Sequence, residues 1–368
     1  MKKKVIIFIP SIEDGGVEKN LFIISNYLND HGISIELLTS NFDKFYKFNK
    51  GIKYIGTRSI FWQKKSRIIK YLICLLTLFI NLIRRKDKPL IFAFQANIYA
   101  ILVSKILNTK IITRSNSAPA GWSKNLIKNI LYKYLINLAD DVMVNSLEFQ
   151  KSFKKKFNIK TRCIYNPFDK NLVKNNLKKN KKIVFFSKNF LNLISIGRLT
   201  DQKDHLTLLK SINLLEENFK IKLLIIGKGK NKNLLQNYIL DNNLQNKVKL
   251  LGYLKNPYPY INASDIVILT SIFEGLPNIL LEAQYLKKYI ISTNCETGPR
   301  EILLNGKAGD LIKIKDSKKL SFLIKNYYKR KRIIKDKISE GNKNFDRFNY
   351  ELNCRKYLDF IIKNQWNF

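Results

Sequence analysis

The sequence predicts an α/β protein with two domains, each a doubly wound parallel β-sheet of the Rossmann-like type. Continuous apolar runs, such as residues 5–9, alternate with stretches of helical periodicity. Such runs are typical of parallel strands, which are buried on both faces. The alternation breaks at residues 166–168 and resumes at residue 192, and a chain of 368 residues is long enough for two cores.

Each half of the chain repeats the same succession of strand and helix. In the first half the predicted strands are 5–9, 33–38, 90–94, 110–113, 141–144 and 162–165, and the predicted helices are 17–29, 97–108, 121–138 and 146–157. In the second half the predicted strands are 192–196, 222–226, 248–250, 266–269 and 289–292, and the predicted helices are 203–214, 231–242, 278–286, 317–340 and 350–364.

These elements predict a first domain over residues 1–168 and a second domain over residues 190–345. A polar stretch rich in Lys and Asn, residues 169–189, is expected to link them. The last segment, 346–368, is expected to form a helix that packs back toward the first domain. We expect both domains to face a cleft, because open α/β sheets bind ligands at the carboxyl ends of their strands.

The composition restricts the compartment and the partners. The formal net charge is +39, which suits nucleic acid, an anionic membrane or an anionic substrate. The lysines are spread along the whole chain, which argues against a dedicated nucleic-acid surface. Four scattered cysteines and two histidines indicate reduced thiols in the cytoplasm and no His-rich metal site. The first residues are interpreted as a buried strand rather than a signal peptide.

One apolar run, residues 71–83, is flanked by basic residues on both sides. It is shorter than the roughly 20 residues that cross a bilayer. Two interpretations remain open: a buried helix of the first domain, or a helix that lies in the headgroup plane of an anionic membrane.

Two loops of the second half carry glycine and positive charge after a predicted strand. Gly197 ends a strand and is followed by Arg198 and then Lys203, a pair of cations that suits a diphosphate. Gly227 follows the next strand and allows a ligand to approach the backbone closely. Taken singly, each loop also fits a solvated surface turn.

A third loop combines two carboxylates with a turn and a helix start. Glu274 precedes the turn, and Glu282 lies eight residues later, inside the following helix. Backbone N–H groups at a helix start attract phosphate, whereas an ionised Glu accepts hydrogen bonds from sugar hydroxyls. The turn and helix start between them are formed by Gly275, Leu276, Pro277 and Asn278. Arg300, after a further strand, adds a possible phosphate or acceptor contact.

In the first half, Gly15 and Gly16 follow the first strand and open a helix. Paired glycines allow the backbone to approach a phosphate or a sugar. The spacing is not G-x-G-x-x-G, so the nicotinamide-binding fingerprint is absent, as are the P-loop and the G-x-S-x-G and H-E-x-x-H motifs.

Together these segments resemble the family-4 group of retaining glycosyltransferases, the group 1 glycosyltransferases, which have the GT-B fold. The resemblance extends over nearly the whole chain, in the family's order. Its matching segments are EDGGVE, SIGRLTDQKD, LLIIGKGK, VKLLGY, SIFEGLPNILLEA and TNCETGPREIL.

The resemblance implies a role for each matching position. Arg198 and Lys203 would hold the donor diphosphate and stabilise the leaving group, Glu282 would accept the ribose hydroxyls, and Glu274 would contact the transferred sugar. Gly252 and Tyr253 would meet the base, while Gly15 and Gly16 would line the phosphate and acceptor side. Transfer would retain the anomeric configuration and need neither a metal nor a cofactor, because the cations take the electrostatic role of the metal.

Some positions depart from the family pattern. Leu276 stands where Phe is usual, and the two histidines, His31 and His205, are expected at helix ends or starts rather than beside the sugar. Arg114 or Asn116 is the candidate replacement on the acceptor side.

The TNCETGPREIL segment resembles bacterial members that transfer hexoses or N-acetylhexosamines to lipid-linked glycans. The resemblance therefore implies a UDP-sugar donor, a lipid-linked acceptor and surface polysaccharide such as lipopolysaccharide or capsule. The protein is expected in the cytoplasm, peripheral to the inner face of the membrane.

Two other classes of function remain as alternatives. One is a sugar-nucleotide epimerase or glycan phosphorylase of the same architecture, disfavoured by the scarcity of histidine and by the chain length. The other is a non-enzymatic basic protein that binds nucleic acid or membrane, which the dispersed lysines disfavour.

Overall fold

The structure is a computed structural model that describes residues 4–13, 15–116, 126–178 and 183–366. It divides into two compact units. The first comprises Met1–Pro167 together with Phe348–Phe368, and the second comprises Phe168–Arg347. Each unit contains one parallel sheet, which confirms the predicted fold class.

The first unit is built on a seven-stranded parallel sheet with the order β3-β2-β1-β4-β5-β6-β7. The internal strand β1 pairs with β2 on one side and with β4 on the other, so that Val5 lies opposite Ile35 and Leu90. The strands are β1 Lys4–Phe8, β2 Ser34–Leu38, β3 Lys53–Ile55, β4 Leu90–Ala93, β5 Ile111–Ser115, β6 Asp141–Val144 and β7 Arg162–Cys163.

The helices described in the first half are α1 Gly16–Asp30, α2 Ile60–Gln63, α3 Arg67–Ile83, α4 Asn97–Ile106, α5 Leu126–Asn137 and α6 Leu147–Phe157. Successive side chains of a strand point alternately into two cores, one on each face of the sheet. Val5 and Ile7 pack in a core with residues of α1. Ile6 and Phe8 pack on the opposite face with residues of α3, α4, α5 and α6. Two apolar layers therefore bury both faces of β1, as its continuous apolar run predicts.

The second unit contains a six-stranded parallel sheet with the order β10-β9-β8-β11-β12-β13. Its strands are β8 Leu191–Ile196, β9 Ile221–Ile226, β10 Val248–Gly252, β11 Ile266–Leu269, β12 Tyr289–Thr293 and β13 Asp310–Ile312. Its helices are α7 Lys170–Leu177, α8 His205–Asn213, α9 Lys232–Asp241, α10 Tyr258–Ala263, α11 Asn278–Tyr285, α12 Pro299–Ile302, α13 Ser317–Lys325 and α14 Lys331–Lys343.

The last helix, α15 (Tyr350–Trp366), belongs to the first unit. Its residues Tyr357, Phe360 and Ile361 are buried in the same core as α1. None of the described helices combines the length and the hydropathy that crossing a bilayer requires.

The structure differs from the predicted elements over residues 169–189 and 317–340, and it adds the strands β3 and β13. Helix α7 occupies the first part of the polar stretch 169–189, because the Asp169 carboxylate accepts a hydrogen bond from the Leu172 N–H at 2.9 Å and Val173 is buried. Residues 179–182 of that stretch lie outside the described residues, as do residues 121–125 of the helix predicted over 121–138. The helix predicted over 317–340 is two helices, α13 and α14, separated by a 3₁₀ turn.

Candidate active site

The predicted glycine loops of the second unit lie at the carboxyl edge of neighbouring strands. Gly197 follows β8, and its N–H donates to the Ile226 carbonyl of β9 at 3.0 Å. Gly227 follows β9, and its N–H donates to the carbonyl of Gly252, at the end of β10, at 2.8 Å. Because β8, β9 and β10 are adjacent in the sheet, the three loops form one continuous edge.

Two glycines are required where these loops touch. A Cβ at Gly227 would lie 1.8 Å from the carbonyl oxygen of Gly197, and the Gly227 φ is +157°. A Cβ at Gly298 would lie 1.9 Å from the carbonyl oxygen of Gly275, and the Gly298 φ is +89°. Both positions therefore exclude any side chain, and the backbone of each loop packs directly against the next.

The structure brings together Lys203 and Glu274, which are 71 residues apart in the chain. The Lys203 Nζ lies 2.5 Å from the Glu274 Oε1, and the two side chains are 14% and 8% exposed. A Cβ at Gly197 would lie 3.2 Å from the Lys203 Cδ, so the lysine stem passes against this glycine. The site thus contains a mostly buried ion pair seated on the loop after β8.

Hydrogen bonds fix the backbone around this pair. The Gln202 amide donates to the Phe273 carbonyl at 2.9 Å, and the Ile272 N–H donates to the Gln202 carbonyl at 2.8 Å. The Thr297 hydroxyl donates to the Glu274 carbonyl at 2.5 Å. These bonds join the loops after β8, β11 and β12, so Lys203 and Glu274 are held in place by three strand ends.

Arg198 lies in the same loop as Gly197, and its side chain is exposed. Its Nη2 lies 3.4 Å from the Gln202 Oε1. This contact uses only one of the five N–H donors of a guanidinium. Arg198 is therefore an accessible cation next to the buried Lys203.

Glu282 lies inside α11 and is buried, like Glu274. The Tyr258 hydroxyl donates to the Glu282 Oε1 at 3.5 Å. Leu276 and Pro277 are buried at the start of α11, and Asn278 is its first residue. The sequence analysis did not predict this contact of Tyr258 with Glu282. The aromatic and proline-rich segment 257–260 after β10 is the sequence signal that could have indicated it.

Gly252 and Tyr253 lie at the end of β10. Gly252 has a φ of +73°, and a Cβ at this position would have no heavy atom of the described residues within 4 Å. Tyr253 is exposed, and the Lys228 ammonium lies 5.3 Å from the centre of its ring. Arg300 is half-buried in α12, the helix that follows the turn at Gly298.

In the first unit, Gly15 and Gly16 are exposed at the start of α1, and the preceding Asp14 lies outside the described residues. The Glu18 Oε2 accepts a hydrogen bond from the Gly15 N–H at 2.9 Å. Burial raises the pKa of the Glu18 carboxyl, although hydrogen bonds from backbone N–H groups oppose this. Glu18, which was not among the predicted site residues, thus fixes the glycine loop.

Arg114 is 1% exposed at the end of β5. Its guanidinium donates to the Tyr357 hydroxyl at 3.0 Å, to the Asn166 amide oxygen at 2.7 Å and to the Asn116 amide oxygen. Arg114 therefore ties α15 to the strand-end loops of the first sheet. The acceptor contact of Arg114 and Asn116 stays a prediction.

The histidines lie where the sequence indicates. His31 follows α1, and His205 is the first residue of α8. His205 is buried, and burial lowers its pKa to about 3, with a smaller contribution from the charge of Lys203. His205 is therefore neutral at physiological pH.

Residues 169–345 match the family model described as Glycosyl transferases group 1. An uncharacterized glycosyltransferase of Methanocaldococcus jannaschii is 37% identical over 55% of this chain, and the match spans about half, 53%, of that relative's length. A Campylobacter jejuni N-acetylgalactosaminyltransferase, whose name gives a diphospho-undecaprenol-linked acceptor, is 27% identical over 74% of this chain and 76% of its own. A second enzyme of that organism is 23% identical over 99% of this chain and 97% of its own. Its name describes a GalNAc-GalNAc-diNAcBac-PP-undecaprenol N-acetylgalactosaminyltransferase.

Solved structures match the fold over the whole chain. Anabaena HepE in complex with UDP-glucose has a TM-score of 0.79 at 19% identity, covering 98% of this chain and 100% of that one. Sucrose-phosphate synthase of Thermosynechococcus elongatus has a TM-score of 0.81 at 14% identity, covering 99% of each chain. At these identities the likeness establishes the fold alone.

The two parallel sheets and the solved structures define the GT-B fold, and the family model and the relatives identify a glycosyltransferase. The model of the family Glycosyl transferases group 1 covers nearly all of the second unit, which confirms the resemblance that the sequence motifs carry.

Proposed function

We propose that the protein transfers a hexose or N-acetylhexosamine from a UDP-sugar to a lipid-linked glycan, with retention of configuration and without a metal. The reaction would take place in the cytoplasm, in the biosynthesis of a bacterial surface polysaccharide or glycoconjugate. The names of the two Campylobacter relatives support the lipid-linked acceptor. The complexes of Anabaena HepE with UDP and UDP-glucose support the donor.

The observation that carries the proposal is the ion pair between Lys203 and Glu274 beside the accessible Arg198. An ammonium has three N–H donors, so Lys203 can hold Glu274 and still donate to a phosphate oxygen. Glu274, an acceptor only, can bind sugar hydroxyls next to that phosphate. Two cations at one strand-end loop suit a diphosphate that gains charge as it leaves.

The proposed transfer breaks the bond between the sugar C1 and the terminal phosphate oxygen, and the electron pair stays on the departing diphosphate. The acceptor hydroxyl oxygen forms the new bond to C1. Since the configuration is retained, the acceptor approaches the face that the diphosphate leaves, and its proton passes to a phosphate oxygen there. Arg198 and Lys203 would stabilise the diphosphate throughout, which is the role that a metal has in other enzymes.

The test uses the purified full chain and the substitution Arg198→Ala. Arg198 is exposed, so its removal leaves the fold intact. Loss of a charge-assisted hydrogen bond should lower transfer by about 10- to 100-fold. The matched control is Lys230→Ala, which removes a neighbouring exposed cation paired with Asp201 and should leave transfer unchanged. Transfer is measured as UDP released from UDP-N-acetylhexosamines and UDP-hexoses with undecaprenyl-diphosphate glycans, and the product anomer is read by NMR.

Other outcomes would support the alternatives. Conversion of a UDP-sugar to its isomer without release of UDP would identify an epimerase. Salt-sensitive binding of nucleic acid with no binding of UDP, GDP or ADP sugars would identify a non-enzymatic basic protein. Loss of transfer in EDTA with recovery on addition of a divalent cation would contradict the metal-independent mechanism, and a product of inverted configuration would contradict retention.

A further inference from the structure

Three helices of the first unit, α3, α4 and α5, pack side by side on one face of the seven-stranded sheet. Their inner surfaces are buried in the core on that face. Cys74, Leu78 and Leu82 of α3 pack there together with Ala100 of α4 and Ile136 of α5. The outer surfaces of these helices therefore point away from the sheet.

The outer surface of α3 is apolar along its whole length. Leu72 is 62% exposed and Leu76 is 61% exposed, although both are leucines in the middle of a helix. The exposed apolar residues recur every three or four positions, which is the spacing of one helix face. They are Ile68, Leu72, Leu76, Ile80 and Ile83.

The neighbouring helices extend this surface. On α4, the exposed apolar residues are Tyr99, Leu102 and Ile106. On α5, they are Ile127, Ile130, Leu131 and Tyr134. Because α4 packs between α3 and α5, the three outer surfaces join into one apolar area, here named the α3–α5 face. Isolated exposed apolar residues are ordinary, but an area shared by three helices indicates an interaction surface.

The charges around this face are mainly basic, with the exposed carboxylates of Glu13 and Asp87 among them. Lys64 is exposed before α3, Arg67 is exposed at its first position, and Arg84, Lys86 and Lys88 are exposed after it. No Asp or Glu occurs in the sequences of α3, α4 and α5. An apolar face with a basic rim matches the surface of a bilayer that contains anionic lipid, where apolar side chains enter the acyl boundary and cations meet the headgroups.

We propose that the α3–α5 face docks the enzyme on an anionic phospholipid bilayer, with the three helices lying in the plane of the headgroups. A bilayer fits better than a second copy of this chain, because a second copy would bring two mainly basic rims together around the contact. The inference goes beyond the 71–83 segment, since α4 and α5 contribute exposed apolar residues of their own. It rests on the proposed function only for its purpose, which is to bring the enzyme to a lipid-linked acceptor.

The test is co-sedimentation of the full chain with vesicles. The expected result is binding to vesicles of phosphatidylcholine with phosphatidylglycerol, weaker binding to phosphatidylcholine alone, and weakening by salt. The double variant Leu72→Gln/Leu76→Gln should weaken binding by about tenfold or more, because two exposed apolar side chains no longer enter the acyl boundary. Both side chains are exposed, so the melting temperature should stay that of the wild type.

The matched control is the double variant Leu234→Gln/Leu240→Gln on α9. These leucines are 52% and 48% exposed, and they lie in the second unit. Their replacement removes as many exposed apolar side chains but none from the α3–α5 face, so vesicle binding should not change. If this control weakened binding as much as the α3 variant, general hydrophobicity would explain the binding and the inference would fail.

Two further results would overturn the inference. One is a wild-type protein that does not bind anionic vesicles at low salt. The other is a dimer in solution that Leu72→Gln/Leu76→Gln converts to a monomer, which would show that a second copy covers the face. UDP binding, measured on the same variants, separates this inference from the proposed function. UDP binding without vesicle binding would contradict only the proposed docking surface. Vesicle binding without UDP binding would contradict only the proposed function.

Discussion

The ion pair between Lys203 and Glu274 allows structure and catalysis to be separated by experiment. At 2.5 Å, two unit charges attract each other by about 7 kcal/mol when the effective dielectric constant is about 20. Desolvation of the two ions offsets much of this attraction. Removal of one partner leaves the other buried without its counter-charge, which costs about 3–5 kcal/mol.

The perturbation is the cycle of Lys203→Met, Glu274→Gln and the double variant. Each single variant should lose about 3–5 kcal/mol in free energy of unfolding, while the double variant should lie within about 2 kcal/mol of the wild type, because neither charge is left unpaired. Transfer should fall in all three variants, since the proposed mechanism needs both groups. Urea unfolding gives the stabilities, and release of UDP gives the activities.

The exposed pair of Lys230 and Asp201 supplies the control for this cycle. Lys230→Met should leave the free energy of unfolding unchanged, because a solvent-exposed ion pair is screened. The reasoning is refuted if the double variant loses the sum of the two single losses. It is also refuted if the double variant recovers transfer along with stability, because the pair would then be structural only.

Two other predictions concern backbone packing and pH. Gly227→Ala and Gly298→Ala should each lower the free energy of unfolding by about 2 kcal/mol or more, because the new Cβ would collide with a carbonyl oxygen. Gly252→Ala should lower it by about 1 kcal/mol, because Gly252 has a positive φ but open space around it. Equal melting temperatures in the three variants would contradict this. The pKa of His205 is lowered to about 3 in the folded state, so below pH 6.5 the unfolded state binds a proton that the folded state does not. The free energy of unfolding should therefore fall by about 1.4 kcal/mol for each pH unit from 6.5 down toward 3. His205→Gln should remove that slope in urea unfolding, and parallel pH profiles of the wild type and the variant would refute the prediction.

The sequence predicts long buried elements better than short edge elements. Strands such as β1 and β8 are continuous apolar runs, and the structure buries them on both sides. The edge strands β3 and β13 have three residues each, too few for a periodicity to be recognised, and they were missed. The helix predicted over 317–340 divides because α13 packs on α8 whereas α14 packs on α11 and β12, a change of partner that a helical pattern does not reveal.

For the candidate site, the sequence predicts which residues stand at strand ends, but not which of them touch. Lys203 and Glu274 meet because β8 and β11 are neighbours, although β9 and β10 separate them in the chain. Arg114 was predicted on the acceptor side, but its hydrogen-bond partner Tyr357 comes from a helix 243 residues later. The return of the last helix was expected from the sequence, but its contact with Arg114 and the order of the strands depend on the whole fold, so no local motif reveals them.

The contrast between a buried pair and an exposed cation suggests a division of work within the proposed mechanism. Glu274 neutralises Lys203 at 2.5 Å, so the pair adds little net charge to the strand-end loops. The attraction that first draws a diphosphate must then come from exposed cations of these loops, among them Arg198, which contacts the uncharged amide of Gln202. Lys203 is already fixed by its pair, so it can meet the developing charge with little reorganisation, which is the condition under which electrostatic stabilisation is most effective.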